Sequence, residues 1–127
     1  MQADLFDRPA TTRAAARQRA MDDARARGED MAERAGAAAD RAVERWCANA
    51  AEKLRTFARA QGGVWTVEMA RSVLDSELPR PPDLRAWGKV TTMAKAAGYI
   101  EQVPRMFFPA ASSNGAMKAV YRKGPKA

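Results

Sequence analysis

The chain contains no histidine and a single cysteine, Cys47. Histidine is the most frequent general base and the commonest metal ligand in proteins, so its absence argues against an enzyme and against a bound metal. One cysteine forms no disulfide within the chain, which suits a reducing compartment. We therefore expect a protein that is not an enzyme and needs no cofactor.

Long apolar runs are also missing. No stretch approaches the roughly 20 consecutive apolar residues that span a bilayer. The first ten residues, MQADLFDRPA, lack the basic and apolar blocks of a secretory signal. The sequence therefore predicts a cytoplasmic protein that does not associate with membranes.

The charge is unevenly distributed along the chain. Residues 1–50 carry nine basic and nine acidic side chains, whereas residues 51–127 carry 13 basic and six acidic ones. The net charge of +7 thus belongs entirely to the second part. A basic segment that also carries the apolar pattern of a small domain indicates a polyanionic partner, and nucleic acid is the first candidate.

The first 42 residues divide into two segments. Residues 1–12 contain Pro9 and no apolar periodicity, which predicts a flexible tail. Residues 13–42 are rich in Ala, Arg, Asp and Glu, which favours a polar helix. Met21 and Met31 are the only large apolar side chains of this arm. Two alternatives stay open for it: a solvated, partly disordered arm, or a coiled coil that would make a homodimer.

Apolar periodicity begins near residue 43 and predicts one domain over residues 43–122. The predicted elements, in order, are a helix over 43–61, a short strand at 64–65, a helix over 67–75, a proline-rich loop at 78–82, a helix over 84–97 capped by Asp83, a strand over 99–108, a loop over 109–115 and a strand over 117–122. Residues 123–127 form a basic tail. The fold class is therefore mainly α with a small β-hairpin, preceded by the polar arm.

The spacing of apolar residues also predicts which faces are buried. In the first helix of the domain these are Val43, Trp46, Cys47, Ala50, Leu54, Phe57 and Ala58. In the second helix they are Val67, Ala70, Val73 and Leu74. In the third helix they are Ala86, Val90, Met93 and Ala97. The opposite row of the third helix then faces outward and consists of Arg85, Lys89, Thr92 and Ala96, with Lys95 beside it.

This order of elements resembles a winged helix-turn-helix domain. More narrowly, the chain resembles small winged-helix proteins encoded by phages and prophages, in the segments Pro81-Pro82-Asp83-Leu84-Arg85-Ala86-Trp87-Gly88, Ala97-Gly98-Tyr99-Ile100 and Val120-Tyr121-Arg122. The resemblance covers about two thirds of the chain and concerns the fold more than the function.

In the DNA-binding version of this fold, the third helix enters the major groove and its outward residues contact base edges. The resemblance thus implies contacts of double-stranded DNA with Arg85, Lys89, Thr92 and Lys95. It also implies contacts, mostly with the phosphate backbone, from the hairpin and tail residues Arg105, Asn114, Lys118, Arg122 and Lys123.

The N-terminal peptide Gln2-Ala3-Asp4-Leu5-Phe6 has an apolar pair in a polar tail that offers no core to join. It resembles the short motif by which bacterial proteins bind the replicative sliding clamp. In such a motif the glutamine amide fixes orientation and two apolar anchors fill a pocket. The resemblance implies a partner-binding peptide made of Gln2, Asp4, Leu5 and Phe6, whereas the alternative is that Leu5 and Phe6 fold back on the arm.

Three functions follow from these observations. The first is a non-enzymatic DNA-binding protein of phage or prophage type, acting in replication through the clamp or as a transcriptional regulator. The second is a protein-interaction module that inhibits or recruits a host protein. An enzyme is the third, but the carboxylates of the arm alternate with arginines, which is typical of a solvated helix face.

Overall fold

A computed structural model describes the backbone of residues 2–110 and 115–127, and the side chains of these residues from Thr12 onward. The chain divides into two compact units, Met1–Met31 and Ala32–Ala127. The fold is mainly helical with a small three-stranded antiparallel sheet. In the part of the chain that the structure describes, no helix is both long and apolar enough to cross a membrane.

The first unit consists of most of helix α1, which spans Gln2–Ala42. Its side chains from residue 12 to residue 31 are exposed, in keeping with a composition of alanine and charged residues. The helix begins at Gln2, inside the stretch 1–12 where the sequence predicts a flexible tail. It then covers the predicted arm, residues 13–42.

The second unit contains the end of α1 and every other element. These are α2 (Trp46–Gln61), β1 (Val64–Trp65), α3 (Val67–Leu74), α4 (Ala86–Ala96), β2 (Ile100–Pro109) and β3 (Met117–Lys123). The unit begins at Ala32, earlier than the predicted domain start at Val43. The difference arises because Ala35 and Ala39 of α1 are buried in the core, although such small residues give almost no apolar signal in a sequence.

The turn between α1 and α2 is closed by Arg45, whose φ of 59° and ψ of 29° lie in the left-handed region. Helix α2 therefore starts at Trp46, and Val43, which the sequence placed on its buried stripe, is 38% exposed. The rest of that stripe is buried, as predicted. Gly62, at φ 62°, ends the helix in a conformation that favours glycine.

Helix α3 begins as predicted, with the Thr66 hydroxyl accepting a hydrogen bond of 3.2 Å from the Met69 backbone N–H. Ala70 and Leu74 are buried and Val67 packs at the edge of the core. The prediction for Val73 is wrong, because its side chain is 51% exposed. It is adjacent to Leu74 in sequence and so lies about 100° around the helix from the row Ala70–Leu74.

Helix α4 begins at Ala86, later than the predicted start at Leu84. Asp83 does not cap the helix in the predicted way: its carboxylate accepts from the Arg85 backbone N–H at 2.9 Å and holds a turn before the helix. The buried row is Ala86, Val90 and Ala94 with Trp87 beside it. Met93 and Ala97, which the sequence predicts as buried, are only half-buried. The buried face of the helix is shifted away from them, toward Trp87 and Ala94.

The sheet has the strand order β1-β3-β2, so the last strand is the central one. Strand β3 pairs with β1 through Trp65 and Tyr121, and with β2 from Ile100 to Pro109 with an irregularity between Gln102 and Phe107. Lys123 belongs to β3 and not to a tail. Beyond it, the Gly124 N–H bonds to the Tyr99 carbonyl at 3.0 Å and fastens the chain to the start of β2.

The core lies where α2 crosses α3, α4 and the sheet. Its largest fully buried side chains include Trp46, Trp65 and Leu54. Phe57 and Tyr121 flank Trp65, with ring centroids at 5.1 Å and 6.0 Å. Aromatic side chains thus connect α2 to β1 and β1 to β3.

Candidate nucleic-acid interface

The first predicted contact residue, Arg85, lies just before α4 and is exposed. Its guanidinium forms an ion pair of 2.9 Å with Asp83, whose carboxylate also accepts from Arg85 Nε at 3.1 Å. These hydrogen bonds hold the pKa of Asp83 below its ordinary value. Arg85 is therefore accessible to a ligand, but it is already neutralised by a neighbouring carboxylate.

Lys89 is not placed as the sequence predicts. Its ammonium lies 2.8 Å from Glu33 Oε2 and 3.0 Å from Oε1, on the end of α1 that belongs to the second unit. Its aliphatic part packs against Gly36, where a Cβ would come within 2.7 Å of Lys89 Cγ. The side chain is half-buried and turned toward α1. At this position, the row of α4 that was predicted to face outward is therefore covered by α1.

The other two predicted residues of α4 remain on its exposed side. Thr92 is exposed, and its hydroxyl donates to the Gly88 carbonyl at 3.1 Å. The hydroxyl proton is thus already engaged by the backbone of its own helix. Lys95 is exposed in the last turn, and its ammonium lies 3.4 Å from the Gln102 side-chain oxygen of β2. Lys95 thus belongs with the base of the hairpin more than with the start of α4.

The hairpin carries three further predicted residues, Arg122 and Lys123 at its base and Lys118 near its tip. Arg122 pairs with Glu101 across the strands at 3.0 Å. Lys123, opposite Ile100, and Lys118, opposite Phe108, are exposed and form no ion pair within the described residues.

Arg105 lies in the irregular part of β2 and has a φ of 60°, which is the left-handed region. It is exposed, and the described residues offer it no ion-pair partner. Asn114, the predicted contact at the hairpin tip, lies outside the described residues.

The predicted contacts therefore form two groups. Arg85 and Lys89 lie at the beginning of α4 and are both engaged by carboxylates. The second group comes from the end of α4 and the base of the hairpin: Lys95 lies beside Gln102, Lys123 is opposite Ile100, and Arg122 pairs with Glu101. The second group has fewer internal partners and is the better candidate for binding an anion.

A groove of about 260 Å³ between α3, α4 and β3 was not predicted. Arg71 lies on one side of it and Lys118 on the other, and the Arg71 guanidinium sits 5.8 Å from the centre of the Trp87 ring. Arg71 also pairs with Asp75 at 3.3 Å. In the sequence, Arg71 and Asp75 are recognisable only as an i,i+4 pair, which is typical of an exposed helix surface. Nothing in that pattern predicts the groove.

Glu33 is a second residue that sequence reasoning misses. The ion pair with Lys89 joins residues 56 positions apart, and no local pattern connects them. In the sequence Glu33 is one of several carboxylates on a charged helix.

The side chains of the predicted partner-binding peptide, Gln2, Asp4, Leu5 and Phe6, lie outside the described residues. Among the described residues, no group of three His, Cys, Asp or Glu side chains is placed to hold a metal ion. Comparison with protein-family models, with curated proteins and with solved structures found no match to this chain.

Proposed function

We propose that the unit Ala32–Ala127 contains a winged helix-turn-helix domain that binds double-stranded DNA and catalyses no reaction. In this proposal α3 and α4 form the helix-turn-helix and the β2–β3 hairpin is the wing. The protein would be of the phage or prophage type and would act in the host cytoplasm.

The observation that carries the proposal is the set of exposed cations on the hairpin that have no internal partner. Lys118, Lys123 and Arg105 form no ion pair among the described residues, whereas the carboxylates of Asp83 and Glu101 are already paired. The unit that holds them has 16 basic and nine acidic side chains and so carries the whole net charge of +7. Unpaired cations on an exposed hairpin suit phosphate oxygens, whose neutralisation releases counterions.

The order of elements supports the same proposal. The described elements follow the order helix, short strand, helix, helix and hairpin, with a β1-β3-β2 sheet. This order resembles that of DNA-binding winged helix-turn-helix domains, in which the second helix of the turn enters the major groove and the hairpin lies against the backbone. Lys95 at the end of α4 and Arg122 and Lys123 at the hairpin base would contact phosphates. Arg85 and Thr92 would approach base edges.

A duplex titration by fluorescence anisotropy at about 50 and 200 mM salt tests the proposal. The variant Lys118→Ala/Lys123→Ala should weaken binding and reduce the slope of log K against log salt by about 1.8, because each phosphate contact contributes about 0.9. The matched control is Lys53→Ala/Arg59→Ala, which removes the same charge from α2. Equal losses in both variants would indicate nonspecific attraction, and no duplex binding at the lower salt would reject the proposal.

We further propose that the N-terminal peptide binds the bacterial sliding clamp and brings this domain to replicating DNA. The support is the sequence of the peptide alone, Gln2 to Phe6. Tethering a weak DNA-binding domain to a clamp would raise its effective concentration on DNA. A transcriptional role would need no clamp.

The second candidate function is a protein-interaction module. It is favoured by the ion pairs of Arg85 and Lys89 with carboxylates, because the resemblance implies DNA contacts from both residues. It is favoured also by the exposed apolar side chains Phe107 and Met117 on the hairpin. Salt separates the two functions, since an apolar interface would bind with little salt dependence.

A further inference from the structure

Lys89 belongs to a small contact cluster that joins the end of α1 to α2 and α4. Cys47 of α2 is 2% exposed, and its thiol donates to the Gly36 carbonyl of α1 at 3.5 Å. The Cys47 backbone N–H donates to the Asp40 carboxylate at 2.9 Å. Together with the ion pair from Glu33 to Lys89, these contacts place residues 32–42 of α1 over both Lys89 and Cys47.

The side chains that hold this segment in place are small. Ala35, Gly36 and Ala39 are its buried residues, and together they remove little apolar surface from water. The Glu33 carboxylate of the ion pair is 63% exposed, and ion pairs that face solvent contribute little to stability. The segment contributes only Ala35 and Ala39 to the core cluster that contains Trp46, Leu54 and Val90, so its displacement would expose little of the packed surface.

We propose that residues 32–42 of α1 act as an autoinhibitory cover that competes with DNA for Lys89. The inference rests on the DNA-binding function proposed above. In the covered state, Glu33 occupies the position of an anion next to the Lys89 ammonium, and α1 lies over the first half of α4. In the uncovered state, a phosphate oxygen of the duplex replaces the Glu33 carboxylate, and the outward row of α4 becomes continuous from Arg85 to Thr92.

The chain contains its own reporter of the cover. Cys47 is the only cysteine, and residue 36 of α1 lies against its thiol. A thiol reagent therefore reacts with Cys47 only when the cover or the whole fold opens. The two routes have opposite responses to DNA: a ligand that stabilises the folded state suppresses global unfolding and slows the reaction, whereas displacement of the cover accelerates it.

The experiment measures duplex affinity and the rate of Cys47 modification in the same full-length proteins. For the wild type, saturating duplex should accelerate modification severalfold. Glu33→Gln should bind duplex about threefold to fivefold more tightly, as expected for loss of a solvent-facing ion pair, and should be modified faster without DNA. Glu44→Gln removes the same charge from the exposed turn after α1 and is the matched control, with no change in modification rate.

Two further variants separate the cover from a general charge effect. In a Lys89→Ala background, Glu33→Gln should no longer change the affinity, because the residue that it releases is gone. Gly36→Ala opens the cover without changing charge, since its Cβ would meet Lys89 Cγ at 2.7 Å and Cys47 Sγ at 3.3 Å. It should act like Glu33→Gln, whereas Gly28→Ala, with no atom within 4 Å, should not.

The outcomes are distinguishable. If the wild type binds duplex but DNA slows Cys47 modification, and Glu33→Gln behaves like Glu44→Gln, the cover is rejected and the DNA-binding function stands. If no variant binds duplex at low salt, the DNA-binding function is rejected, and the inference falls with it. Acceleration by DNA together with the Lys89-dependent gain in Glu33→Gln supports both.

Discussion

The rings of Trp46 and Trp87 meet edge to face, with centroids 5.5 Å apart and planes at 82°. This contact joins α2 to α4, but the two indole N–H groups differ. The N–H of Trp46 donates to the Pro79 carbonyl at 2.7 Å and fastens the proline-rich loop to the core. The N–H of Trp87 is buried and has no acceptor among the described residues.

That difference predicts unequal effects of the same substitution. Trp46→Phe should lower the free energy of unfolding by about 1–2 kcal/mol more than Trp87→Phe, because only the first leaves a carbonyl without its donor. Both variants lose a similar ring volume, so each is the control for the other. Urea denaturation followed by circular dichroism measures the difference, and equal losses would contradict the role of the Pro79 hydrogen bond.

The burial of Cys47 predicts a loss of stability at high pH. Burial, together with the nearby Asp40 carboxylate, raises the pKa of the thiol from 9.0 to about 11. Between these two pKa values the folded state retains a proton that the unfolded chain loses. The contribution of the thiol to the free energy of unfolding is therefore fully present below about pH 9, and about 2 kcal/mol of it is lost as the pH rises toward 11. Burial also raises the pKa of Tyr121, which acts in the same direction. The difference between wild type and Cys47→Ala in urea titrations from pH 8 to 11 isolates the cysteine, and parallel curves would refute its contribution.

Two arginines adopt left-handed backbone conformations, Arg45 at φ 59° and Arg105 at φ 60°. Glycine tolerates this region, whereas a side chain there costs about 1–2 kcal/mol. We expect Arg45→Gly and Arg105→Gly each to raise the free energy of unfolding, by up to about 1 kcal/mol after the entropy of glycine is included. Only Arg105→Gly should also weaken duplex binding, because Arg45 lies in the turn before α2. Equal weakening by both would argue against a specific role of the hairpin.

The N-terminal peptide yields a prediction that is independent of DNA. Leu5→Ala/Phe6→Ala should abolish binding to a purified bacterial sliding clamp in a surface plasmon resonance assay, because both apolar anchors are lost. Thermal unfolding should not change. The control is Met21→Ala, which removes an exposed apolar side chain from the same helix. Clamp binding that survives the double substitution would reject the clamp motif.

Much of the fold was accessible from local signals. Thr66 fixes the start of α3 by accepting from Met69, and Gly62 ends α2 at a positive φ. Both helix ends are determined by residues within one turn of each other. The strands of the hairpin begin and end within one residue of their predicted limits. These are the features for which side-chain chemistry dictates backbone conformation directly.

The arrangement of the candidate site was less accessible, because it depends on distant packing. Lys89 was predicted to face outward from the helical period alone, but a carboxylate 56 positions earlier holds it against α1. The end of α1 contributes Ala35 and Ala39 to the core, and small residues give a weak apolar signal whether they are buried or exposed. Periodicity identifies the faces of a helix, but it does not tell which neighbouring helix will cover them.

The position of β3 has a consequence for the order in which the molecule assembles. This strand is the last in the chain, yet it lies between β1 and β2 and contributes Tyr121 to the ring contact with Trp65. During synthesis, α2, α3 and α4 can collapse on one another as soon as they leave the ribosome. The two outer strands have no partner until residues 117–123 emerge, and pairing β1 with β3 then closes a loop of more than fifty residues. The helices should therefore protect their backbone amides from hydrogen exchange earlier than the sheet does during refolding.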